Sequence, residues 1–140
     1  MLYQRVAELY KKFRLMHYRV IFSRIKEKEG SLSATEAFAV DAIYLLGTPT
    51  IKQFSDYLGI SQPNATYKIN SLSSKGYVTK EISDTDRREY RLILTEKYFN
   101  YYGDQTRFIE SAVDTLRTEY SEADIQKFEQ MLASLEDALV

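Results

Sequence analysis

Gln62, Pro63, Asn64, Thr66, Tyr67, Lys68 and Asn70 crowd into a short stretch whose remaining members, Ala65 and Ile69, are apolar. Ala65, Ile69 and Leu72 step by four and three, which puts them on the inward face of a helix. The outward set, with Ser71 on its flank, has no carboxylate and no large aliphatic side chain. A merely solvated helix face of this length usually carries Glu and Lys in pairs. Amide, hydroxyl and phenol groups suit a different chemistry, hydrogen bonding to base edges and phosphates. Asn and Gln match adenine edges, Thr66 and the Pro63 ring can touch a thymine methyl, and Lys68 can reach a phosphate. Downstream, Arg87 and Arg88 follow Asp86 in a charged turn. A guanidinium at a hairpin tip can lie against a minor groove or phosphates, with a carboxylate fixing its rotamer. The competing readings are a solvated polar face and a solvated basic tip.

The flanking residues say what must hold these groups. Thr50-x-x-Gln53 has capping-box spacing, and Ile51, Phe54 and Leu58 form the inner face of a helix of about two turns. Gly59 makes the turn and Ile60 plugs the space between two helices. Ser61 caps the next helix, Pro63 is tolerated in its first turn, and Gly76 ends it. Two β-rich runs follow, residues 77–83 and 89–94, on either side of the charged turn. Helix, tight turn, helix and hairpin is the layout of a winged helix-turn-helix, with Gln62, Asn64 and Thr66 near the helix end that enters the groove.

On the N-terminal side, residues 2 to 28 read as one long helix. Leu2, Val6, Leu9, Phe13, Met16 and Val20 step by four and three in a heptad seam, with Tyr3, Tyr10 and His17 as a second stripe. Residues 32–47 form the next helix: Ser33-x-x-Glu36 is a capping box, Ala39, Val40, Ile43 and Leu46 face inward, and Gly47 and Pro49 stop it. After the hairpin, Thr95 caps a helix with Leu94 and Phe99 as a hydrophobic staple, and Tyr98, Tyr101, Gln105, Phe108, Ala112, Leu116 and Tyr120 run along it. Ser121 starts the last helix, where Ile125, Phe128, Leu132, Leu135 and Leu139 repeat the heptad spacing. The expected fold is mainly α with a small β wing: four helices, two strands, two helices. Residues 1–140 form a single unit, with the winged helix-turn-helix at 33–95 and a helical dimerisation region at 1–30 and 96–140. Long seamed helices at both ends suit an interlocked homodimer, which would present two modules to a pseudo-palindromic duplex.

Bulk composition narrows the function classes. The chain has 140 residues, no cysteine and one histidine, so thiolate chemistry is excluded and a multi-histidine metal site within one chain is impossible. No metal and no cofactor are expected. No apolar run approaches a membrane span, and Arg5, Glu8, Lys11 and Lys12 break any signal peptide, so the expectation is a soluble cytoplasmic protein with no membrane partner. The net charge is only -1, yet it is unevenly spread. Residues 96–140 hold ten carboxylates against four Lys and Arg, whereas residues 50–95 hold five against seven. The acid thus lies away from the polar helix, and binding to a polyanion is expected to be salt-sensitive. No nucleophile motif is present, and Asp84 and Asp86 lie on an exposed turn with no base beside them, so an enzyme is not expected.

Over essentially its whole length the chain resembles the MarR family of bacterial transcription regulators. The resemblance rests on Leu58-Gly59-Ile60-Ser61-Gln62-Pro63, Leu72-x-x-Lys75-Gly76-Tyr77-Val78, Asp84-x-Asp86-Arg87-Arg88 and Leu92-x-Leu94-Thr95-Glu96-Lys97, in this order and spacing. It implies a winged helix-turn-helix with helical elements joined in a dimerisation region, and repression, or less often activation, relieved by a small ligand. The DNA-contacting residues it implies, together with the reading above, are Ser61, Gln62, Pro63, Asn64, Thr66, Tyr67, Lys68, Asn70, Arg87 and Arg88. Tyr67 stands where many members have arginine and Asn64 where many have threonine, which bears on the target sequence rather than on the module. Peroxide-sensing members use a cysteine, absent here, and zinc-sensing members use several histidines.

Twelve Tyr and seven Phe are many for this length. In the resembled family, ligands sit between the dimerisation helices and the DNA module. Phe13, His17, Phe38, Tyr44, Phe99 and Tyr102 are the candidates to line such a crevice, which would suit a small aromatic or anionic ligand. For each ring the competing role is core or interface filler. The alternative for the whole chain is a winged-helix protein-interaction module without DNA binding.

Overall fold

The structure is a computed structural model that describes residues 1–25, 32–102 and 106–139. Its elements run α1 (Leu2–Ile25), α2 (Ala34–Leu46), α3 (Ile51–Leu58), α4 (Gln62–Ser74), β1 (Val78–Ile82), β2 (Tyr90–Leu94), α5 (Glu96–Tyr102), α6 (Arg107–Glu119) and α7 (Glu122–Asp137). This is the mainly helical fold with a two-stranded wing that the residue pattern calls for. The chain divides into two compact units, Met1–Gln105 and Thr106–Val140.

Local capping chemistry sets the helix starts. The Ser33 hydroxyl accepts from the Glu36 amide at 3.2 Å, while Glu36 reaches back to the Ser33 amide at 3.1 Å. Thr50 and Gln53 repeat the exchange for α3, at 3.1 and 2.9 Å. Ser61 accepts from the Asn64 amide at 3.3 Å and opens α4, with Pro63 in the first turn, where no amide donor is needed. Between α3 and α4, Gly59 takes φ 67°, the left-handed conformation that costs a residue with a Cβ about 1 kcal/mol or more. Ile60 then packs partly buried against the core.

That core lies under the winged module. Phe54 of α3, Ile69 and Leu72 of α4, Val40 and Ile43 of α2, and Leu92 of β2 are fully enclosed. Each such side chain contributes roughly 1.5–3 kcal/mol of burial. β1 and β2 pair antiparallel in the register Val78 with Leu94 through Ile82 with Tyr90. The wing is also tied back to the start of α3. Thr50 and Arg91 form a bridge, the Leu92 amide donates to the Pro49 carbonyl at 2.8 Å, and the Arg91 guanidinium donates to the Thr48 carbonyl at 2.9 Å.

The helix expected from residue 95 to 120 is described as α5 and α6, and its residues 103–105 lie outside the described part. The Thr95 hydroxyl donates to the Gly76 carbonyl, so it ties α5 to the end of the α4 turn. The first helix is described to Ile25, and its expected last turn lies outside the described residues.

In the unit Thr106–Val140, Ser121 caps α7, accepting from the Asp124 amide at 3.2 Å. Neither α6 nor α7 buries a residue fully. Leu116, Tyr120, Ile125, Phe128 and Met131 line an apolar groove of about 440 Å³. Along α1 the seam is equally open: Val6, Leu9 and Met16 are exposed, and Leu2 is 80% exposed. No helix among the described residues is long and apolar enough to cross a membrane.

Candidate nucleic-acid interface

α4 is held from behind and left bare in front. Ala65, Ile69 and Leu72 anchor its inner face. On its flank, the Ser71 hydroxyl donates to Glu36 Oε2 at 2.9 Å and the Lys75 ammonium to Glu36 Oε1 at 2.8 Å. Burial alone would raise the Glu36 carboxyl, but the bonds from Lys75, the Ser33 amide and Ser71 outweigh it and bring the pKa down to about 2. One α2 carboxylate therefore fixes the C-terminal half of α4. The Ser73 hydroxyl adds a bond to the Val78 carbonyl at 3.0 Å, tying the helix to the first strand of the wing.

In front, Ser61, Gln62, Pro63, Asn64, Tyr67 and Asn70 are exposed, and Thr66 and Lys68 are half-buried on the flanks. Tyr67 is 75% exposed, projecting a phenol from the middle of the outer face. Pro63, Tyr67 and Asn70 fall in line at spacings of four and three. The structure thus brings the helix candidates onto one continuous polar surface that begins at a helix N-terminus, where amide donors favour anions.

Arg87 and Arg88 stand at the exposed tip between β1 and β2. Asp86 shapes this turn more than it fixes an arginine. Its Oδ1 accepts from the Arg88 amide at 2.9 Å, whereas the guanidinium stays 3.8 Å away and the Arg88 side chain is 94% exposed. The guanidinium is therefore free to follow a partner.

Lys80 was not singled out by the sequence, where it is one lysine in a β-rich run. From β1 its ammonium donates to Asn70 Oδ1 at 2.9 Å. Ser71, read as a flank residue, is committed to Glu36 and is not part of the free surface.

The aromatic candidates fall into two groups. His17 and Phe38 share a groove of about 480 Å³ between α1 and α2 with Tyr10, Arg14, Tyr18 and Phe22. Tyr44 and Phe99 instead stack around Tyr98, with ring centroids 5.2–6.3 Å apart. Phe13 is half-buried on α1 and does not line the groove. The Tyr102 side chain lies outside the described residues. A polar relay that the sequence did not announce runs between the groups. The Tyr98 hydroxyl donates to Asp41 Oδ1 at 3.0 Å, and His17 Nε2 lies 3.5 Å from Asp41 Oδ2. Burial pushes the Asp41 carboxyl up, against the lowering effects of Tyr98 and His17. Burial and the neighbouring Asp41 push the Tyr98 phenol up as well. Among the described residues no cluster of His, Asp or Glu could hold a metal ion.

Known proteins share this fold. Residues 31–89 match the sequence model of the MarR family. The uncharacterized HTH-type transcriptional regulator YkoM of Bacillus subtilis is 27% identical over 99 residues, which is 70% of this chain and 64% of that protein's length. A mutant of MepR from a multidrug-resistant S. aureus clinical isolate has the same fold, with a TM-score of 0.72, 12% identity and coverage of 100% of this chain and 98% of that one. FabT from Streptococcus pneumoniae, solved in complex with DNA, is 25% identical with a TM-score of 0.57, covering 98% of this chain and 96% of its own.

Proposed function

We propose, from a chain that belongs to the MarR family through its winged helix-turn-helix at residues 31–89, that the protein is a dimeric, sequence-specific DNA-binding transcriptional regulator, a repressor released by a small ligand. The observation that carries the DNA reading is the bare face of α4. Gln62, Pro63, Asn64, Tyr67 and Asn70 are exposed together with no acidic side chain among them, although the chain carries twenty carboxylates. In the helix-turn-helix geometry the N-terminal half of α4 enters the major groove, and Arg87 and Arg88 reach the backbone or minor groove beside it. Phosphate contacts from Lys68 and the wing set the register, while the amide, hydroxyl and phenol groups read bases. That FabT was solved with DNA supports this reading.

The dimer rests on the open seams. α1 exposes Leu2, Val6 and Leu9, and α7 exposes Phe128, Leu132 and Leu135. A second copy would cover both and place two α4 helices on a pseudo-palindrome. The groove between α1 and α2, with the Arg14 cation and several rings, suits a small aromatic or anionic ligand. A ligand that favours a dimer with another α4 separation must lower DNA affinity by the same coupling factor.

The test is selection of bound duplexes from a random pool by the full chain. Enrichment of an inverted repeat is the expected result. Failure of a folded dimer to enrich any sequence at low salt would refute DNA reading and favour a protein-interaction module.

A further inference from the structure

A free asparagine on a recognition helix offers both halves of its amide, an acceptor and a donor, and so matches adenine. Asn70 is not free in this sense. Lys80 approaches its side chain at 2.9 Å, and an ammonium has only donors, so the atom facing Lys80 must be the carbonyl oxygen Oδ1. The amide orientation is thereby fixed by chemistry. What remains on the outer surface is the Asn70 NH₂, which has no protein partner among the described residues, and the unused N–H groups of the Lys80 ammonium. Both side chains are exposed, one from α4 and one from β1. With Oδ1 already engaged by Lys80, the pair offers mainly donors, the Asn70 NH₂ and a charged ammonium, which suits a site for two acceptors.

We propose that Asn70 and Lys80 act together as a donor clamp for a pair of hydrogen-bond acceptors on DNA, either phosphate oxygens or the O6/N7 edge of guanine, and that Asn70 does not read adenine. This rests on the DNA-binding reading above and gives one part of that surface its ligand chemistry. Lys80 is a positioning residue for Asn70 as well as a contact. The clamp also joins recognition helix to wing, so both must meet the same stretch of duplex.

The test uses the full chain and the duplex it selects, resynthesised with one methylphosphonate at each phosphate in turn, and separately with 7-deazaguanine at each guanine. For the native protein one modification in each half-site should cost roughly tenfold in affinity at this contact, and Asn70→Ala should bind the modified and unmodified duplexes equally. A methylphosphonate at that point assigns the acceptors to phosphate, and 7-deazaguanine assigns them to the guanine edge. Lys80→Gln can still donate to Oδ1 and should keep the selective cost, whereas Lys80→Met should lose it. A structural tie between helix and wing would not produce coupling at one position. Independent, additive costs at every position would overturn the clamp while leaving DNA binding intact. So would a native preference for adenine that Asn70→Ala abolishes. Absence of any selected duplex would overturn the DNA-binding reading and the clamp with it.

Discussion

Replacing Glu36 with glutamine should cost the fold a few kcal/mol at neutral pH and far less in acid. Its carboxylate accepts from the Ser33 amide, the Ser71 hydroxyl and the Lys75 ammonium at 3.1, 2.9 and 2.8 Å, and the Glu36 side chain is only 13% exposed. These bonds outweigh the raising effect of burial and take the pKa from an ordinary 4.5 to about 2. That lowering corresponds to about 3 kcal/mol of stability at pH 7. The folded pKa lies below the unfolded one, so the contribution is complete well above pH 4.5 and is lost as pH falls through the folded value near 2. At pH 3 roughly 1.4 kcal/mol of it would remain. Urea unfolding of the native protein and Glu36→Gln at pH 7 and pH 3, followed by circular dichroism, measures both quantities. A stability difference near 3 kcal/mol that shrinks by about half at pH 3 is expected. The same difference at both pH values, or one below about 0.5 kcal/mol at pH 7, would refute the claim that this carboxylate holds α4 as an ion.

Three further outcomes follow from the geometry. Leu72→Ala removes a fully buried side chain of α4 and should lower unfolding stability by about 2–5 kcal/mol in the same assay. Arg88→Ala should leave the melting temperature unchanged, weaken binding about equally across sequences and reduce the salt slope by about one, measured by fluorescence anisotropy over a salt series. Leu132→Glu sets a charge in the open α7 seam and should turn the proposed dimer into monomer by analytical ultracentrifugation, with a dimer of unchanged affinity counting against the seam as an interface.

What was legible in the sequence was local. The caps at Ser33, Thr50 and Ser61 each span three residues, so spacing alone announces them, and they begin α2, α3 and α4 in the structure. The apolar steps Ala65, Ile69 and Leu72 assigned the inner face of α4, and the outer face followed by subtraction. The contacts that tune the site join residues far apart in sequence. Ser71 and Lys75 meet Glu36 across thirty-five and thirty-nine positions, and Tyr98 meets Asp41 across fifty-seven. No periodicity encodes such pairings. Lys80 is only ten residues from Asn70, but the chain must turn at Gly76 to bring them together, and a lysine in a strand looks like an ordinary exposed residue. The aromatic candidates were chosen by ring type, and packing divides them between the α1–α2 groove and the stack around Tyr98.

The most direct measurement is the stoichiometry and affinity of the full chain on its selected inverted repeat, compared with a duplex of equal length holding one half-site. Two chains per repeat, bound far more tightly than to the single half-site and with affinity falling steeply as salt rises, is the expected result. Equal affinity for the two duplexes, or one chain on the repeat, would contradict a dimer that reads DNA with two α4 helices.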